Sequence, residues 1–225
     1  MFAFRESVDL DPAPRDGGRV EVAFTDASLD LRHDDGVAAL ERAAGVAIAR
    51  LHQVHGDAVA IVDGPSAAVP TADGQVTASR GVGLMVRVAD CVPVVLADAA
   101  VGVLGAAHAG RRGVELDVVT RTVERMRELG ATEVRGWIGP HVCGRCYEVP
   151  AAMRDEVAAA VPATYAETSW GTPALDLGAG VVAQLAAAGV PASVVPGCTL
   201  EDPTFHSYRR DGDAAGRFAG LVWLA

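Results

Sequence analysis

The side chains best suited to chemistry lie in four polar segments that interrupt an otherwise apolar sequence. The segments are His52–Gly56, Ala89–Val94, Ala107–Gly113 and Phe205–Gly212. Imidazole nitrogen and thiolate sulfur are good zinc ligands, and three protein ligands leave a fourth coordination position for water or substrate. His55, Cys91 and His108 therefore have the right chemistry for a catalytic zinc tripod, whose metal would lower the pKa of water to roughly 7. Their scattered spacing alone favours ordinary packing roles, because no CxxC…CxxC pattern joins them.

The third polar segment also suits an anion. It runs from an apolar strand through Gly110 and Gly113 into a helix, whose N-terminus offers free N–H groups and a positive dipole. Arg111 and Arg112 add positive charge there. A phosphate is the natural ligand of such a turn.

Hydrophobic periodicity supplies the elements that must position these segments. The pattern predicts strands over Arg19–Phe24, Ala58–Val62, Gly83–Val88, Val92–Ala97, Val101–Ala107, Val134–Ile138, Val194–Val195 and Leu221–Leu224. It predicts helices over Gly36–Leu51, Gly113–Leu129, Pro150–Val161 and Leu175–Ala188, and a loop over Pro65–Ala78. Because these elements do not alternate strictly as βαβ units, we expect an α+β fold: one domain, residues 1–225, with a mixed β-sheet core flanked by helices.

Composition narrows the function classes. Half of the 225 residues are hydrophobic, which is enough for a sizeable core, and the net charge of −10 argues against general nucleic-acid binding. The first residues lack the apolar run of a signal peptide, and no apolar stretch is long enough to span a membrane. We therefore expect a cytoplasmic protein whose four cysteines are reduced, with no membrane and no obligate protein partner.

Seven motifs in order resemble the bacterial YfiH/YlmD family, also called the laccase-domain, polyphenol oxidase or peptidoglycan editing factor family, which has the human relative FAMIN. They are HQVHG from His52, ADGQVT from Ala72, ADCVPV from Ala89, AHAGRRG from Ala107, GPHVCGRCYEV from Gly139, Cys198-Thr199, and FHSYRRDGDAAGR from Phe205. The resemblance runs from about Leu51 to the C-terminus. Arg111 stands where the family pattern has Trp, and the N-terminal part is abbreviated.

This resemblance implies a YfiH-like fold and a zinc ion held by His55, Cys91 and His108, which would also form the catalytic centre. It further implies a purine nucleoside enzyme, active in phosphorolysis of adenosine, inosine, guanosine and methylthioadenosine and in deamination of adenosine. The partners would be a small purine nucleoside and phosphate.

The arginines and carboxylates of the same segments fit that activity. Arg112, Arg209 and Arg210 could clamp phosphate oxygens, although adjacent side chains in extended chain point opposite ways, so a solvated turn is the better interpretation for Arg209 or Arg210. An oxocarbenium-like sugar would be stabilised by a carboxylate, and the candidates are Asp73, Asp90, Glu148 and Asp176. His52 either orients His55 or is a polar residue at a strand end.

Other functions remain open on the sequence. A copper-dependent polyphenol oxidase, with Cu²⁺ in place of Zn²⁺, fits a His₂Cys set, but six histidines are too few for a multicopper cluster. A metal-free cysteine hydrolase, or peptidoglycan precursor editing, would use Cys91 as nucleophile and His108 as base. A scaffold with structural zinc would normally need four protein ligands. For the CxxC pair Cys143 and Cys146 we favour a bystander role, because a lone CxxC is a weak signal.

Overall fold

Two β-sheets form the centre of the computed structural model, which describes residues 1–10, 18–64 and 69–225. The first sheet has the order β1-β2-β13-β6-β3, and the second has the order β12-β9-β7-β8-β5-β4. The strands of the first sheet are β1 (Phe2–Asp9), β2 (Arg19–Thr25), β3 (Ala47–Ala49), β6 (Val82–Val88) and β13 (Phe218–Leu224). Those of the second are β4 (Val59–Ile61), β5 (Gly74–Thr77), β7 (Val92–Asp98), β8 (Val103–Ala109), β9 (Arg135–Ile138) and β12 (Ala192–Val194).

Helices and a small hairpin complete the described fold. The helices are α1 (Asp34–Ala44), α2 (Arg111–Glu115), α3 (Val118–Glu128), α4 (Ala151–Ala160), α5 (Leu177–Ala187) and α6 (Tyr208–Asp211). Short 3₁₀ turns span Pro162–Thr164 and Gly212–Ala214, and the hairpin pairs β10 (Tyr165–Glu167) with β11 (Pro173–Leu175).

The layers follow from strand alternation, because successive side chains of a strand point to opposite faces. Val95 of β7 lies in the core between the two sheets, together with Val22, Leu84, Leu104 and Trp137. Its neighbour Leu96 instead faces helices α3 and α5 in a second core. A third core packs α1 against the outer face of the first sheet. The order of layers is therefore helix, sheet, sheet, helices.

The predicted fold class is confirmed. Each sheet mixes antiparallel with parallel pairs, the parallel ones being β3 with β6 in the first sheet and β4 with β5 and β12 with β9 in the second, and helices flank both sheets. The assignment of residues 1–225 to one domain stays a prediction. No helix in the described part of the chain is both long enough and apolar enough to cross a membrane.

Two predicted helices are wrong in extent. The predicted helix Gly36–Leu51 ends at Ala44, because Gly45 adopts the left-handed conformation (φ 72°) and the chain then turns into β3. The predicted helix Gly113–Leu129 is two helices, with a break at Asp117, whose φ is also positive at 60°. Its side chain accepts a hydrogen bond from the Thr120 amide and so begins α3 anew.

The predicted loop Pro65–Ala78 contains β5, whose four residues are all buried although two of them, Gln75 and Thr77, are polar. The Pro65–Ala68 part of that prediction lies outside the described residues. Strand β1 was not among the predicted strands, although its alternating polar and apolar residues are typical of a strand with one solvent-facing side.

Candidate metal centre

Three side chains from distant segments converge at one end of the second sheet. His55 lies in the loop before β4, Cys91 directly precedes β7, and His108 is the penultimate residue of β8. Their potential ligand atoms all lie within 4.8 Å of one another. The Cys91 Sγ is 3.7 Å from the His55 Nε2, and the two imidazole rings are 4.7 Å apart in an edge-to-face arrangement.

Strand register brings Cys91 and His108 together. Strands β7 and β8 are antiparallel neighbours, and Pro93 pairs with His108 while Val92 pairs with Ala109. The start of β7 therefore meets the end of β8, and Cys91 lies beside the histidine across the pair. This juxtaposition depends on pairing between strands, not on local spacing.

Asp73 organises both histidines. Its side chain is fully buried, and its Oδ1 accepts from the His108 Nδ1 at 2.8 Å and from the His55 amide at 2.9 Å. Its Oδ2 accepts from the amides of Val54 and Gly56 at 3.1 and 2.7 Å. Burial alone would raise the pKa of this carboxyl, but the His108 ring and the backbone amides outweigh burial and hold the pKa below its usual value. Because the His108 Nδ1 is hydrogen-bonded to Asp73, the other ring nitrogen, Nε2, faces the space between the three candidate ligands.

Charge couples Cys91 to His108. Burial would raise the pKa of the Cys91 thiol, but the charge and hydrogen bond of His108, with help from His55, lower the pKa to about 6. Burial would lower the pKa of His108, but Cys91 and Asp73 raise it to about 9. Without metal the two groups therefore form a thiolate–imidazolium pair between about pH 6 and pH 9, and metal binding must displace the imidazolium proton.

The local shape fits a metal. A Cβ atom added to Gly110 would lie 2.6 Å from the His55 ring and 3.1 Å from the Cys91 sulfur, so only glycine leaves room for the three ligands. Two imidazoles and one thiolate suit zinc, and a second layer of hydrogen bonds from Asp73 already orients one of them. The described residues thus fit a zinc ion with one open coordination position.

The tripod opens into a pocket of about 870 Å³. Its walls include His52, Val142, Tyr147, Leu177 and Tyr208 beside the three candidate ligands. Mixed aromatic, apolar and polar walls of this volume suit a small organic molecule. A larger cavity of about 980 Å³ lies elsewhere, between α1, β3 and the chain around the end of β4, and none of its described lining residues is a histidine or cysteine.

The predicted phosphate-binding arginines lie in different places. Arg209 lines the pocket, with its guanidinium carbon 4.7 Å from the centre of the Tyr147 ring. Arg210 donates instead to the carbonyls of Thr199 and Phe205 and pairs with Asp211, outside the pocket lining. Arg112 is exposed on α2 and does not line the pocket. Because α2 has only five residues, its dipole adds little to an anion site at Gly110.

Three pocket arginines were missed by sequence reasoning: Arg32, Arg87 and Arg217. Arg32 and Arg87 lie outside the seven motifs, whereas Arg217 is the last residue of the motif that begins at Phe205, which could have identified it. Arg87 donates to the carbonyls of Leu31 and Leu51, and burial lowers its pKa, with help from neighbouring arginines. Ion pairing is seen for Arg32, which binds Asp30, whereas Arg87, Arg209 and Arg217 have no carboxylate partner within salt-bridge distance among the described residues.

The candidate carboxylates are already engaged. Asp73 binds His108, and Asp176 accepts from the Ala179 amide at the start of α5. Glu148 accepts from the Trp170 indole, away from the pocket. Asp90 does line the pocket, but its two oxygens accept from the Thr199 hydroxyl and the Arg209 amide. His52 also lines the pocket, and its backbone bridges to the segment around Thr71, as a polar residue at a strand end would.

Comparison with known sequences places these residues in a family context. Residues 20–225 match the sequence model of the family described as multi-copper polyphenol oxidoreductase laccase. A relative named purine nucleoside phosphorylase ORF3, from Streptomyces griseus, is 56% identical over 180 residues, which cover 77% of this chain and 73% of the relative. Purine nucleoside phosphorylase SCO2081 of Streptomyces coelicolor is 56% identical over 179 residues, covering 77% and 74%.

A solved structure shares the fold. YlmD from Geobacillus stearothermophilus superposes with a TM-score of 0.78 at 29% identity, and the match covers 92% of this chain and 91% of YlmD. The resemblance to the YfiH/YlmD family that the seven motifs predicted is therefore confirmed.

Replacement of the organising carboxylate should weaken metal binding. We expect Asp73→Asn to lower zinc affinity by about 10–100-fold, because an amide cannot accept from the His108 Nδ1 and from three backbone amides as a carboxylate does. Competition with a chelator of known affinity measures this. Asp35→Asn, on the exposed face of α1, is the matched control and should bind zinc as the wild type does. Unchanged affinity in a folded Asp73→Asn protein would remove Asp73 from the site.

Metal-free protein should contain an unusually reactive Cys91. Because the pKa of this thiol is lowered to about 6, the thiolate is present above pH 6 and is lost as pH falls through that value. We expect iodoacetamide labelling of Cys91, followed by peptide mass mapping, to show a midpoint near pH 6. Cys146 and Cys198, whose pKa values burial raises, should be labelled only at higher pH. His108→Gln should move the Cys91 midpoint upward, and a wild-type midpoint above pH 8 would contradict the thiolate–imidazolium pair.

Proposed function

Because the chain belongs to the family described as multi-copper polyphenol oxidoreductase laccase, we propose from its site and its relatives that it is a zinc-dependent purine nucleoside phosphorylase. The observation that carries the proposal is one pocket that joins an open three-ligand site to four arginine side chains. Such a pocket provides separate places for a neutral nucleoside and an anionic phosphate. The names of the Streptomyces relatives support the same reaction class.

The reaction needs phosphate held beside the sugar. In phosphorolysis an oxygen of hydrogen phosphate bonds to C1′ of the ribose, the bond from C1′ to the purine nitrogen breaks, and the purine leaves with the proton that the phosphate loses. Arg87, Arg209 and Arg217 bring positive charge and have no carboxylate ion partner in the part of the chain that the structure describes, which suits binding of a phosphate dianion. This local charge exists although the whole protein carries a net charge of −10.

The remaining walls suit the nucleoside. Tyr147 and Tyr208 offer aromatic surface, and Val142 and Leu177 offer apolar surface.

Zinc in an open three-ligand site supplies a Lewis acid when bound. The chain's own part is to keep that position open: Asp73 orients His108, and Gly110 leaves space beside His55 and Cys91. A reducing compartment such as the cytoplasm would preserve the Cys91 thiolate.

The range of substrates belongs to the same proposal. Adenosine, inosine, guanosine and methylthioadenosine share a purine base on a five-membered sugar, and each presents the same glycosidic bond. Deamination of adenosine is a separate reaction that an open zinc site can support. The names of the relatives, however, refer only to phosphorolysis. An assay must therefore score inosine apart from free base.

Two alternatives lead to different metal contents. Copper-dependent phenol oxidation follows the description of the family, but only His55 and His108, of the six histidines, join Cys91 at the site. The other four are His33, His52, His141 and His206. A cysteine hydrolase, or an enzyme that edits peptidoglycan precursors, would use the lowered pKa of Cys91 with His108 as base and would need no metal. The metal that wild-type protein, purified without added metal, holds and that Cys91→Ser does not hold separates the three: zinc, copper or none.

Turnover tests the proposal directly. We expect incubation with adenosine and phosphate to yield adenine and ribose-1-phosphate on chromatography, and no adenine when phosphate is omitted. Cys91→Ser should lose turnover together with the zinc ion held by His55, Cys91 and His108, because a hydroxyl is a far weaker zinc ligand than a thiolate. Zinc added to metal-stripped protein should restore the wild type but not the variant. Retained turnover in Cys91→Ser would overturn the zinc-dependent mechanism.

Arg209 should contribute to phosphate binding. We expect Arg209→Gln to raise the KM for phosphate about 10–100-fold, since a hydrogen bond to a charged group contributes about 1.5–3 kcal/mol, and to leave the KM for the nucleoside nearly unchanged. Arg42→Gln, on the exposed face of α1, is the matched control. Steady-state kinetics at varied phosphate measure both. An unchanged phosphate KM in Arg209→Gln would assign phosphate to another part of the pocket.

A further inference from the structure

A second cluster of metal-binding side chains lies outside the site described above. Cys143, Cys146, Cys198 and Glu201 bring their thiol and carboxylate atoms within 4.8 Å of one another. The first two follow β9, and the last two lie in the loop between β12 and α6. None of the four lines the pocket that holds the tripod.

Two matching turns present these side chains. The Cys143 carbonyl accepts from the amides of Cys146 and Tyr147, at 2.9 and 3.0 Å. The Cys198 carbonyl likewise accepts from the amides of Glu201 and Asp202, at 3.1 and 2.9 Å. Each turn therefore offers a first residue and a residue three positions later. The resulting pattern, C-x₂-C followed by C-x₂-E, has the spacing of paired ligands in structural zinc sites, with a carboxylate in the fourth place.

Backbone amides of both turns point at the sulfur of Cys198. The Cys143 amide donates to the Cys198 Sγ at 3.4 Å, so the first turn directly contacts a ligand atom of the second. The amides of Leu200 and Glu201 also face this sulfur. Donors of this kind stabilise negative charge on a thiolate and orient it, as groups around bound metals do.

Other contacts hold the two turns together. The Thr199 amide donates to the His141 carbonyl at 3.1 Å, within a parallel bridge that pairs His141 with Cys198. Gly144 packs tightly against Asp176 at the start of α5, where an added Cβ would lie 2.6 Å from the Asp176 Cβ. The cluster is thus formed by fixed backbone segments.

We propose that Cys143, Cys146, Cys198 and Glu201 bind a second zinc ion in a closed, structural site. Three thiolates select zinc over harder divalent cations, and four protein ligands complete a tetrahedral set with no position for substrate. Metal binding replaces the thiol protons, which pass to solvent, and involves no oxidation. A disulfide would use only two of the three sulfurs and would leave Glu201 without a role.

The proposed second zinc ion would stabilise the wall of the pocket that holds the tripod. Tyr147, which lies under Arg209, directly follows Cys146 in sequence. Thr199, which donates to Asp90 beside Cys91, directly follows Cys198. An ion between the turns therefore fastens two parts of the pocket wall to each other. This holds whatever reaction the tripod performs, so the second site does not depend on the proposed function.

Metal content measured by inductively coupled plasma mass spectrometry tests the second site. Protein expressed with zinc and purified under reducing conditions should hold two zinc ions per chain. Cys91→Ser and Cys146→Ser should each hold one, and the double variant none. Co²⁺ added alone to metal-stripped Cys91→Ser should give the intense charge-transfer absorption of cobalt bound to several thiolates. One zinc per chain in the wild type, lost entirely in Cys91→Ser, would overturn the proposal.

Glu201→Gln covers the case in which Cys146→Ser fails to fold, because Glu201 is exposed and its loss leaves no cavity. In the Cys91→Ser background, this variant should lower zinc affinity at least 10-fold in chelator competition, and Glu156→Gln on α4 is the matched control. Native protein should also protect Cys143, Cys146 and Cys198 from alkylation until a chelator is added. Equal affinity in the two glutamine variants, or a disulfide between any two of these cysteines in protein purified with reductant, would contradict the second site.

Discussion

The buried carboxylate of Asp73 is the contact on which the candidate metal centre depends. It accepts from the His108 ring and from the amides of Val54, His55 and Gly56, so one side chain positions a ligand of β8 and the loop that carries a second ligand. That loop is held in an uncommon shape, since His55 has a φ of 60°. Charge-assisted hydrogen bonds contribute about 1.5–3 kcal/mol each, which is enough to offset about 1–3 kcal/mol of backbone strain. The strain is thus compatible with a rigid site before any metal arrives.

Sequence patterns predicted the central strands well and the polar or edge elements poorly. β6, β7 and β8 are long apolar runs buried on both faces, and such runs are visible without knowing their partners. β5 is equally buried, yet the side-chain amide nitrogen of Gln75 and the hydroxyl of Thr77 donate to the Met85 and Val62 carbonyls, contacts that no local pattern encodes. Likewise Gly36–Leu51 has helical spacing throughout, but Gly45 ends the helix. The residues that follow form β3, which pairs in parallel with β6. Pairing with neighbouring strands, not the local sequence pattern, determined the secondary structure of each of these segments.

The candidate site shows the same limit. Residue types identified His55, Cys91 and His108 as suitable ligands, whereas their convergence follows from the pairing of Pro93 with His108 and from a carboxylate 18 residues beyond His55. The family resemblance predicted that these three residues share one metal ion, which their spacing alone did not predict. The pocket arginines are a harder case, because Arg32, Arg87 and Arg217 come from separate segments, and an arginine in a strand such as β6 reads as a solvated residue. Only the folded chain shows that they face one cavity.

A second aspartate, Asp90, holds the backbone beside the candidate ligand Cys91. It directly precedes Cys91, has a φ of 86°, and accepts from the Thr199 hydroxyl at 2.6 Å and the Arg209 amide at 2.7 Å. Its carbonyl accepts from the Val142 amide at 3.0 Å. Three distant motifs therefore meet on one aspartate, next to the candidate ligand. The separate polar segments of this sequence act together because two buried carboxylates, each adjacent to or bonded with a ligand, fasten them to the same end of one sheet.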